Sequence, residues 1–95
     1  MKIAVHCLDN PGAVELRLKH YDAHKAYLSQ GNVKTVISGP LLAADGETMI
    51  GSLFVFEAEN VAEVEAFNAA DPFNKAGIWG DVRIHPFNLR VDNRS

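Results

Sequence analysis

The segment from Thr48 to Glu57 constrains the fold most, because it predicts a β-strand that is apolar on both faces. Side chains of a strand alternate between the two faces of its sheet. The two faces carry Ile50, Ser52, Phe54 and Phe56 on one side and Met49, Gly51, Leu53 and Val55 on the other. A soluble monomer does not normally expose so large an apolar face. We therefore expect helices to cover one face and a second copy of the chain to cover the other, sheet against sheet. The pattern does not indicate which face meets the helices.

A strand and a helix are predicted at the start of the chain. The apolar run 3–8 predicts the strand. Residues 11–30 follow a helical pattern, with Asn10 as the expected N-cap and Gly31 as the expected stop. The stripe that we expect this helix to bury consists of Val14, Leu18, Tyr21 and Leu28.

Two more strands each contain a proline. The run 33–42 predicts a second strand that includes Pro40, and residues 82–91 predict a last strand that includes Pro86. Proline cannot donate a hydrogen bond to a ladder, so each should mark an edge strand, a strand end or an irregularity. Asp45-Gly46 predicts a hairpin between the second strand and the third.

A second helix is predicted to begin at an asparagine cap. Asn60 is followed three residues later by Glu63, as in a capping box. The buried stripe should consist of Val61, Val64 and Phe67. Asp71-Pro72 should end the helix, because proline disfavours helical geometry in the residue before it, and residues 73–80 should form an irregular connection.

The order of elements predicts a ferredoxin-like α+β fold. The order is β-α-β-β-α-β, which folds as a four-stranded antiparallel sheet with two helices on one face. A length of 95 residues suits one domain spanning residues 1–95. The sheet-to-sheet dimer would then be an α/β barrel.

Composition excludes several classes of function. The net charge of −3 does not provide the basic patch that nucleic-acid binding needs. No stretch reaches the roughly 18 apolar residues of a membrane span, and the first apolar run is too short for a signal peptide. With one cysteine, Cys7, the chain has no disulfide framework. The cytoplasm is the expected compartment.

Several short motifs, taken in order, resemble the YciI family. The resemblance spans nearly the whole chain at the expected spacing. It rests on Arg17 and His24 in RLKHYDAH, on Ser38-Gly39-Pro40, on Gly51-Ser52, on Ala70-Asp71-Pro72-Phe73 followed by Ala76-Gly77, and on His85-Pro86-Phe87.

This resemblance implies both a fold and a site. It implies a dimeric ferredoxin-like barrel, with a pocket between helix and sheet where the histidine and the aspartate of the Asp-Pro motif meet. Most members of the family have no assigned reaction. One branch is similar to a dehydrochlorinase of chlorinated hydroxyquinols. The best single expectation for the reaction is therefore dehydrochlorination of 5-chloro-2-hydroxyhydroquinone, with a small aromatic substrate and no cofactor.

His24 and Asp71 are the expected catalytic pair. Imidazole has an unperturbed pKa near neutrality, so it can act first as a base and then as an acid, and a nearby carboxylate would orient the ring. His24 should lie on the edge of the apolar stripe of the first helix. The alternative is structural: Asp71 stabilises the turn before Pro72, and His24 is an ordinary boundary histidine.

The expected substrate-binding residues are Arg17, Ser38, Pro72 and Phe73. A guanidinium group stays charged and could hold a phenolate oxygen. Arg17 is equally compatible with a surface ion pair to a neighbouring carboxylate, and Ser38 with ordinary strand polarity. Phe73, together with Trp79 and Phe87, would wall an aromatic pocket or belong to the core.

Other chemistry has weaker support in the sequence. His20 and His24 have the four-residue spacing of some metal sites, but no third ligand is evident, so no metal is expected. Cys7 should be a core residue, because no base is adjacent to it. There is no glycine-rich phosphate loop, so no nucleotide cofactor is expected.

Two main hypotheses of different classes follow. The first is a cofactor-free lyase or isomerase that uses the His24–Asp71 pair on a hydroxylated aromatic or quinoid ring. The second is a non-catalytic dimeric module that binds a small molecule or accompanies a larger enzyme. A purely structural accessory domain is a third.

Overall fold

The computed structural model describes residues 1–31 and 33–94 and has the expected β-α-β-β-α-β order with one additional short helix. The sheet order is β2-β3-β1-β4, and every neighbouring pair is antiparallel. This confirms the ferredoxin-like prediction. Its elements are β1 (Lys2–Asp9), α1 (Val14–Leu28), β2 (Lys34–Leu42), β3 (Met49–Glu57), α2 (Val61–Ala69), α3 (Pro72–Lys75) and β4 (Trp79–Phe87).

Both strand prolines lie on edge strands, as their chemistry requires. Pro40 is on β2 opposite Ser52, and Pro86 is on β4 opposite Ile3. β2 and β4 are the two edges of the sheet. An edge strand has one side without a ladder, so a residue without an N–H is tolerated there.

The helices cover the face of the sheet that carries the phenylalanines of β3. Phe54 and Phe56 are 1 % exposed and stack on each other with ring centroids 5.1 Å apart. Their cross-strand partners, Val5 and Ile3, are fully buried. The core therefore lies between this face and the helices.

The opposite face of the sheet is open within the described chain. Leu53 on β3 and Ile37 on β2 are 38 % and 42 % exposed. Over β4 the same face carries the exposed side chains of Arg83 and His85. The open face is thus apolar over β2 and β3 and polar over β4. None of the helices in this part of the chain has the length and apolar character of a membrane span.

The predicted stripe of the first helix is wrong for two of its four members, whereas Leu28 packs against the core. Leu18 and Tyr21 are 66 % and 53 % exposed, whereas Arg17 and His24 are buried against the sheet. His24 is therefore at the centre of the buried face and not on the edge of an apolar stripe. The rotation is stabilised because both polar side chains find buried carboxylate partners inside the fold.

The start of the first helix also differs from the prediction. Ala13 is the N-cap residue, without a side-chain cap. Asn10 instead donates from Nδ2 to the carbonyl of Gly77 at 2.9 Å, so it is not available as a cap. Gly12 has a φ of +74°, which is outside the helical region. By contrast, Asn60 caps α2 as predicted, accepting from the N–H of Glu63 at 3.0 Å.

The predicted irregular connection 73–80 is wrong in most of its length. Asp71 caps the short helix α3 and Pro72 occupies its first turn, so the Asp-Pro pair starts a helix as well as following one. The last strand begins at Trp79 and ends at Phe87, earlier than the predicted 82–91. Trp79 pairs with Asp9 across an irregularity in the ladder, which the alternation pattern did not indicate.

Candidate functional site

A cleft of ≈ 460 Å³ lies between α1 and the ends of β2 and β3. Its walls are mainly apolar, and a few polar side chains converge on it, as is typical of a small-molecule site. The lining residues that matter for the chemistry are Arg17, His24, Ser38, Ser52 and Phe73.

His24 and Asp71 meet beside this cleft, as the sequence predicted. Nδ1 of His24 lies 2.8 Å and 2.9 Å from the two carboxylate oxygens of Asp71. His24 is 7 % exposed and Asp71 is 2 % exposed. An ionised carboxylate can accept hydrogen bonds but cannot donate them. When the imidazole is neutral, its proton is therefore on Nδ1 and its lone pair is on Nε2.

Nε2 of His24 is the atom that remains available for chemistry. It has no hydrogen-bond partner among the described residues. Every fully buried side-chain nitrogen or oxygen of those residues does have a partner, so Nε2 is not fully buried. Nε2 therefore keeps contact with solvent, and His24 lines the cleft. The arrangement presents a basic nitrogen to any ligand that occupies the cleft.

The position of Asp71 is fixed by the local fold. Its Oδ1 accepts the backbone N–H of Phe73 at 2.8 Å, as an N-cap of α3. The carboxylate is thus held by the helix start on one side and by His24 on the other. Because Pro72 follows directly, the backbone at this turn has little freedom.

Aromatic rings fix the plane of the imidazole. His24 stacks on Phe73 with centroids 3.9 Å apart and planes inclined by 7°. Phe54 and Trp79 contact it edge-on, at 5.9 Å and 6.1 Å. The ring is therefore orientated by packing as well as by its carboxylate.

Arg17 belongs to a second buried network at the inner end of the cleft. Its Nε and Nη2 bind the carboxylate of Asp9, with Nη2 2.8 Å from Oδ1. Nη2 also donates to Oγ of Ser52 at 2.8 Å. The guanidinium carbon lies 5.2 Å from the ring centroid of Phe73. The alternative of a surface ion pair for Arg17 is therefore wrong, because both partners of its ion pair are 5 % exposed.

The other expected site residues differ in their placement. Ser38 lines the cleft from the edge strand β2 and is exposed. Phe73 lines it beneath His24. Pro72 is not among the lining residues and serves to start α3. Phe87 lies far from the cleft, in a depression of ≈ 250 Å³ beside the open sheet face.

Sequence reasoning missed Asp9 and gave Ser52 no chemical role. Asp9 directly follows the predicted first strand, and no local pattern links it to Arg17. Ser52 interrupts an apolar face, which is the one signal that it has a polar partner.

A β-carbon at the neighbouring Gly51 would lie 2.2 Å from the carbonyl oxygen of Cys7, so β3 approaches β1 closely at this point.

The described structure supports neither a nucleophilic role for Cys7 nor a metal-binding role for His20. Cys7 is a fully buried core residue, as predicted. Burial raises the pKa of its thiol to about 12, which disfavours the reactive thiolate at neutral pH. Within residues 1–31 and 33–94, no group of three or more His, Cys, Asp or Glu side chains is arranged to hold a metal ion.

The fold and the site define a class. This is a ferredoxin-like α+β protein with a buried histidine–aspartate pair that opens onto an apolar cleft. The model of the YCII-related domain matches residues 1–88, and the chain belongs to that family.

Similar proteins agree with this assignment. An uncharacterized protein of Haemophilus influenzae is 30 % identical over 94 residues, covering 92 % of this chain and 96 % of the relative. Protein YciI of Escherichia coli is 29 % identical over 96 residues, with the same coverage of the two chains.

Among solved structures, one similar protein is an enzyme. The 5-chloro-2-hydroxyhydroquinone dehydrochlorinase TftG of Burkholderia phenoliruptrix, in complex with 2,5-dihydroxybenzoquinone, superposes with a TM-score of 0.81. It is 34 % identical, and the match covers 93 % of this chain and 94 % of TftG. An uncharacterized NIPSNAP domain protein of Burkholderia xenovorans, at 16 % identity and a TM-score of 0.53, shares the fold.

Proposed function

We propose that this protein is a cofactor-free enzyme that performs acid–base chemistry on a hydroxylated aromatic or quinoid ring. The observation that carries the proposal is the contact of 2.8 Å between Nδ1 of His24 and Asp71, which leaves Nε2 available in the cleft. A histidine held in one tautomer by a carboxylate is suited to remove a proton and then return it.

The proposed reaction is dehydrochlorination of 5-chloro-2-hydroxyhydroquinone. Its support is the 34 % sequence identity to TftG, a dehydrochlorinase of this compound. The shape and polarity of the cleft agree with such a ligand, since Phe73 and Phe54 offer aromatic surface and Arg17 offers a cation for an anionic oxygen.

The reaction balances without another reactant. One hydroxyl group loses its proton while the ring carbon that bears chlorine gains one, which gives a keto tautomer. Loss of a second hydroxyl proton then forms a new C=O bond, and the C–Cl bond breaks with its electron pair leaving on chloride. The products are a hydroxybenzoquinone, chloride and a proton. The departing pair accounts for the two-electron oxidation of the ring.

The proposed roles of the residues follow from their positions. Nε2 of His24 removes the hydroxyl proton and delivers it to the ring carbon. Asp71 holds the imidazole and stabilises its charge when it is protonated. Arg17 stabilises the oxyanion that forms when the hydroxyl proton leaves, because its Nη1 has no partner among the described residues and it lines the cleft.

The test is chloride release from 5-chloro-2-hydroxyhydroquinone under anaerobic conditions, since hydroxyquinols oxidise in air. His24→Ala should lower kcat about 10²–10⁴-fold, the usual cost of removing a positioned acid–base group. His20→Ala is the matched control, because it removes a histidine from the same helix outside the cleft lining and should keep wild-type kcat. Full activity of His24→Ala would contradict the proposal. Binding of 2,5-dihydroxybenzoquinone without any turnover would favour the binding-module hypothesis.

A further inference from the structure

The hydroxyl group of Ser52 is unusual in accepting two hydrogen bonds from nitrogen donors inside the core. Nη2 of Arg17 donates to its Oγ at 2.8 Å, and Nε1 of Trp79 donates at 3.3 Å. Ser52 is 3 % exposed and still lines the cleft. The interaction with Arg17 is charge-assisted, so it is the stronger of the two.

The hydroxyl group of Ser52 still has its own hydrogen available to donate. A serine hydroxyl has two lone pairs and one hydrogen to donate. Arg17 and Trp79 occupy the lone pairs, and no oxygen or nitrogen among the described residues accepts the hydrogen. The hydrogen points away from both donors, and Ser52 is one of the residues that line the cleft.

We propose that Ser52 is the residue that donates a hydrogen bond to a ring oxygen of the bound ligand. This deepens the proposed function and rests on it. The donated proton is polarised because the oxygen that carries it accepts from a cation. The ligand it selects is an aromatic or quinoid ring with an anionic or carbonyl oxygen on the side of Ser52 and Arg17.

This assignment replaces Ser38 as the main hydroxyl donor of the site. Ser38 is exposed on an edge strand. Its hydroxyl group makes no hydrogen bond to a described residue that would fix its orientation. Ser52 is held by two buried partners on a central strand. A donor that is already orientated loses less entropy on binding, so it contributes more to affinity.

The test measures the affinity of 2,5-dihydroxybenzoquinone by titration calorimetry in two backgrounds. In the wild-type chain, Ser52→Ala should weaken binding about 10–100-fold, as expected for a hydrogen bond to an anionic oxygen. The second background is Arg17→Ala/Asp9→Asn, which removes the ion pair as a unit. If Ser52 contacts the ligand directly, Ser52→Ala should still cost about fivefold or more there.

The outcomes separate a direct contact from a supporting role. A loss in the wild-type chain that falls below about twofold in the second background would show that Ser52 acts only by holding Arg17, and would overturn the proposal. Ser29→Ala is the matched control, because that exposed hydroxyl bonds the carbonyl of Ala26 outside the cleft and the substitution should leave affinity unchanged. Thermal melts should show all variants folded.

Failure of the proposed function has a different signature. If the wild-type chain binds no 2,5-dihydroxybenzoquinone, the aromatic ligand is wrong, and a crystal structure of the free protein then tests the hydroxyl alone. An ordered water about 2.8 Å from Oγ of Ser52, on the cleft side, would support Ser52 as a donor into the cleft. Donation to a protein carbonyl in that structure would overturn it.

Discussion

Nδ1 of His24 lies 2.8 Å from Oδ1 of Asp71, and the same oxygen accepts the backbone N–H of Phe73. One carboxylate therefore caps a helix and orients an imidazole. The two tasks are chemically separable, because the cap needs only an acceptor, whereas the histidine needs an acceptor that is negatively charged. This separation allows the structural role of Asp71 to be distinguished from its proposed catalytic role.

Asp71→Asn should reduce turnover with little loss of stability. The amide oxygen of asparagine can still accept both the N–H of Phe73 and the Nδ1 proton of His24, because Oδ1 contacts both. The second oxygen, 2.9 Å from Nδ1, becomes an NH₂ donor, and the negative charge that would stabilise a protonated imidazole is lost. We expect kcat to fall less than in His24→Ala, because the imidazole remains.

The measurement for Asp71 combines kinetics with thermal melts. Asp71→Ala should lower both kcat and the free energy of unfolding, the latter by about 1 kcal/mol or more, because it also removes the cap. Asp22→Asn, an exposed change on α1, should affect neither. Wild-type kcat in Asp71→Asn would mean that the aspartate has only its structural role.

Arg17→Ala should destabilise the protein as well as weaken ligand binding. The substitution leaves Asp9 charged and buried without its partner, and breaking a buried ion pair typically costs about 3–5 kcal/mol. Arg17→Ala/Asp9→Asn should recover part of that loss, because the isolated charge is gone. Urea titrations of the wild type and of both variants provide the comparison. Equal stability of Arg17→Ala and the wild type would show that the buried pair contributes nothing.

We expect the open sheet face to pair with a second copy of the chain. Leu53→Asp, on that face, should give a folded monomer, whereas Phe54→Asp should unfold the chain, because Phe54 is 1 % exposed in the core. Leu18→Asp is the control, since Leu18 is exposed on α1 and its substitution should keep the dimer. The readouts are sedimentation velocity and circular dichroism. Wild-type protein that sediments as a monomer at micromolar concentration would refute this pairing.

The thiol of Cys7 should be inert in the native protein. Burial raises its pKa from 9.0 to about 12, so the thiolate is scarce in the folded state at pH 8. We expect slow labelling by a thiol reagent at this pH and rapid labelling in denaturant. Rapid labelling of the native protein would contradict the burial of Cys7.

The same shift predicts how stability varies with pH. Below pH 9 the thiol is protonated in both states and has no effect. Between about pH 9 and pH 12 the unfolded chain loses the proton while the native chain keeps it. The free energy of unfolding should therefore fall as pH rises through this window, and a Cys7→Ala variant should show a smaller fall.

The sequence by itself determined the order of the elements and limited the strand prolines to an edge, a strand end or an irregularity, and its resemblance to the family indicated the His24–Asp71 pair. The first two are local properties, because alternation, helical spacing and the missing N–H of Pro40 and Pro86 act within a few residues. The pair was inferred from family motifs that stand 47 positions apart. No local pattern connects those two residues.

Only the tertiary structure decided which face of β3 is buried, how α1 is rotated and what Arg17 contacts. The apolar stripe of α1 suggested that Leu18 and Tyr21 point inwards, yet the helix buries Arg17 and His24. Burying two polar side chains is tolerated only when each has a hydrogen-bonding or charged partner inside the fold. The partners of Arg17 and His24 are Asp9 and Asp71, which lie outside α1. The role of Ser52 likewise depends on donors 35 and 27 positions away. Such pairings depend on how the chain packs in three dimensions, and hydrophobic periodicity carries no information about them.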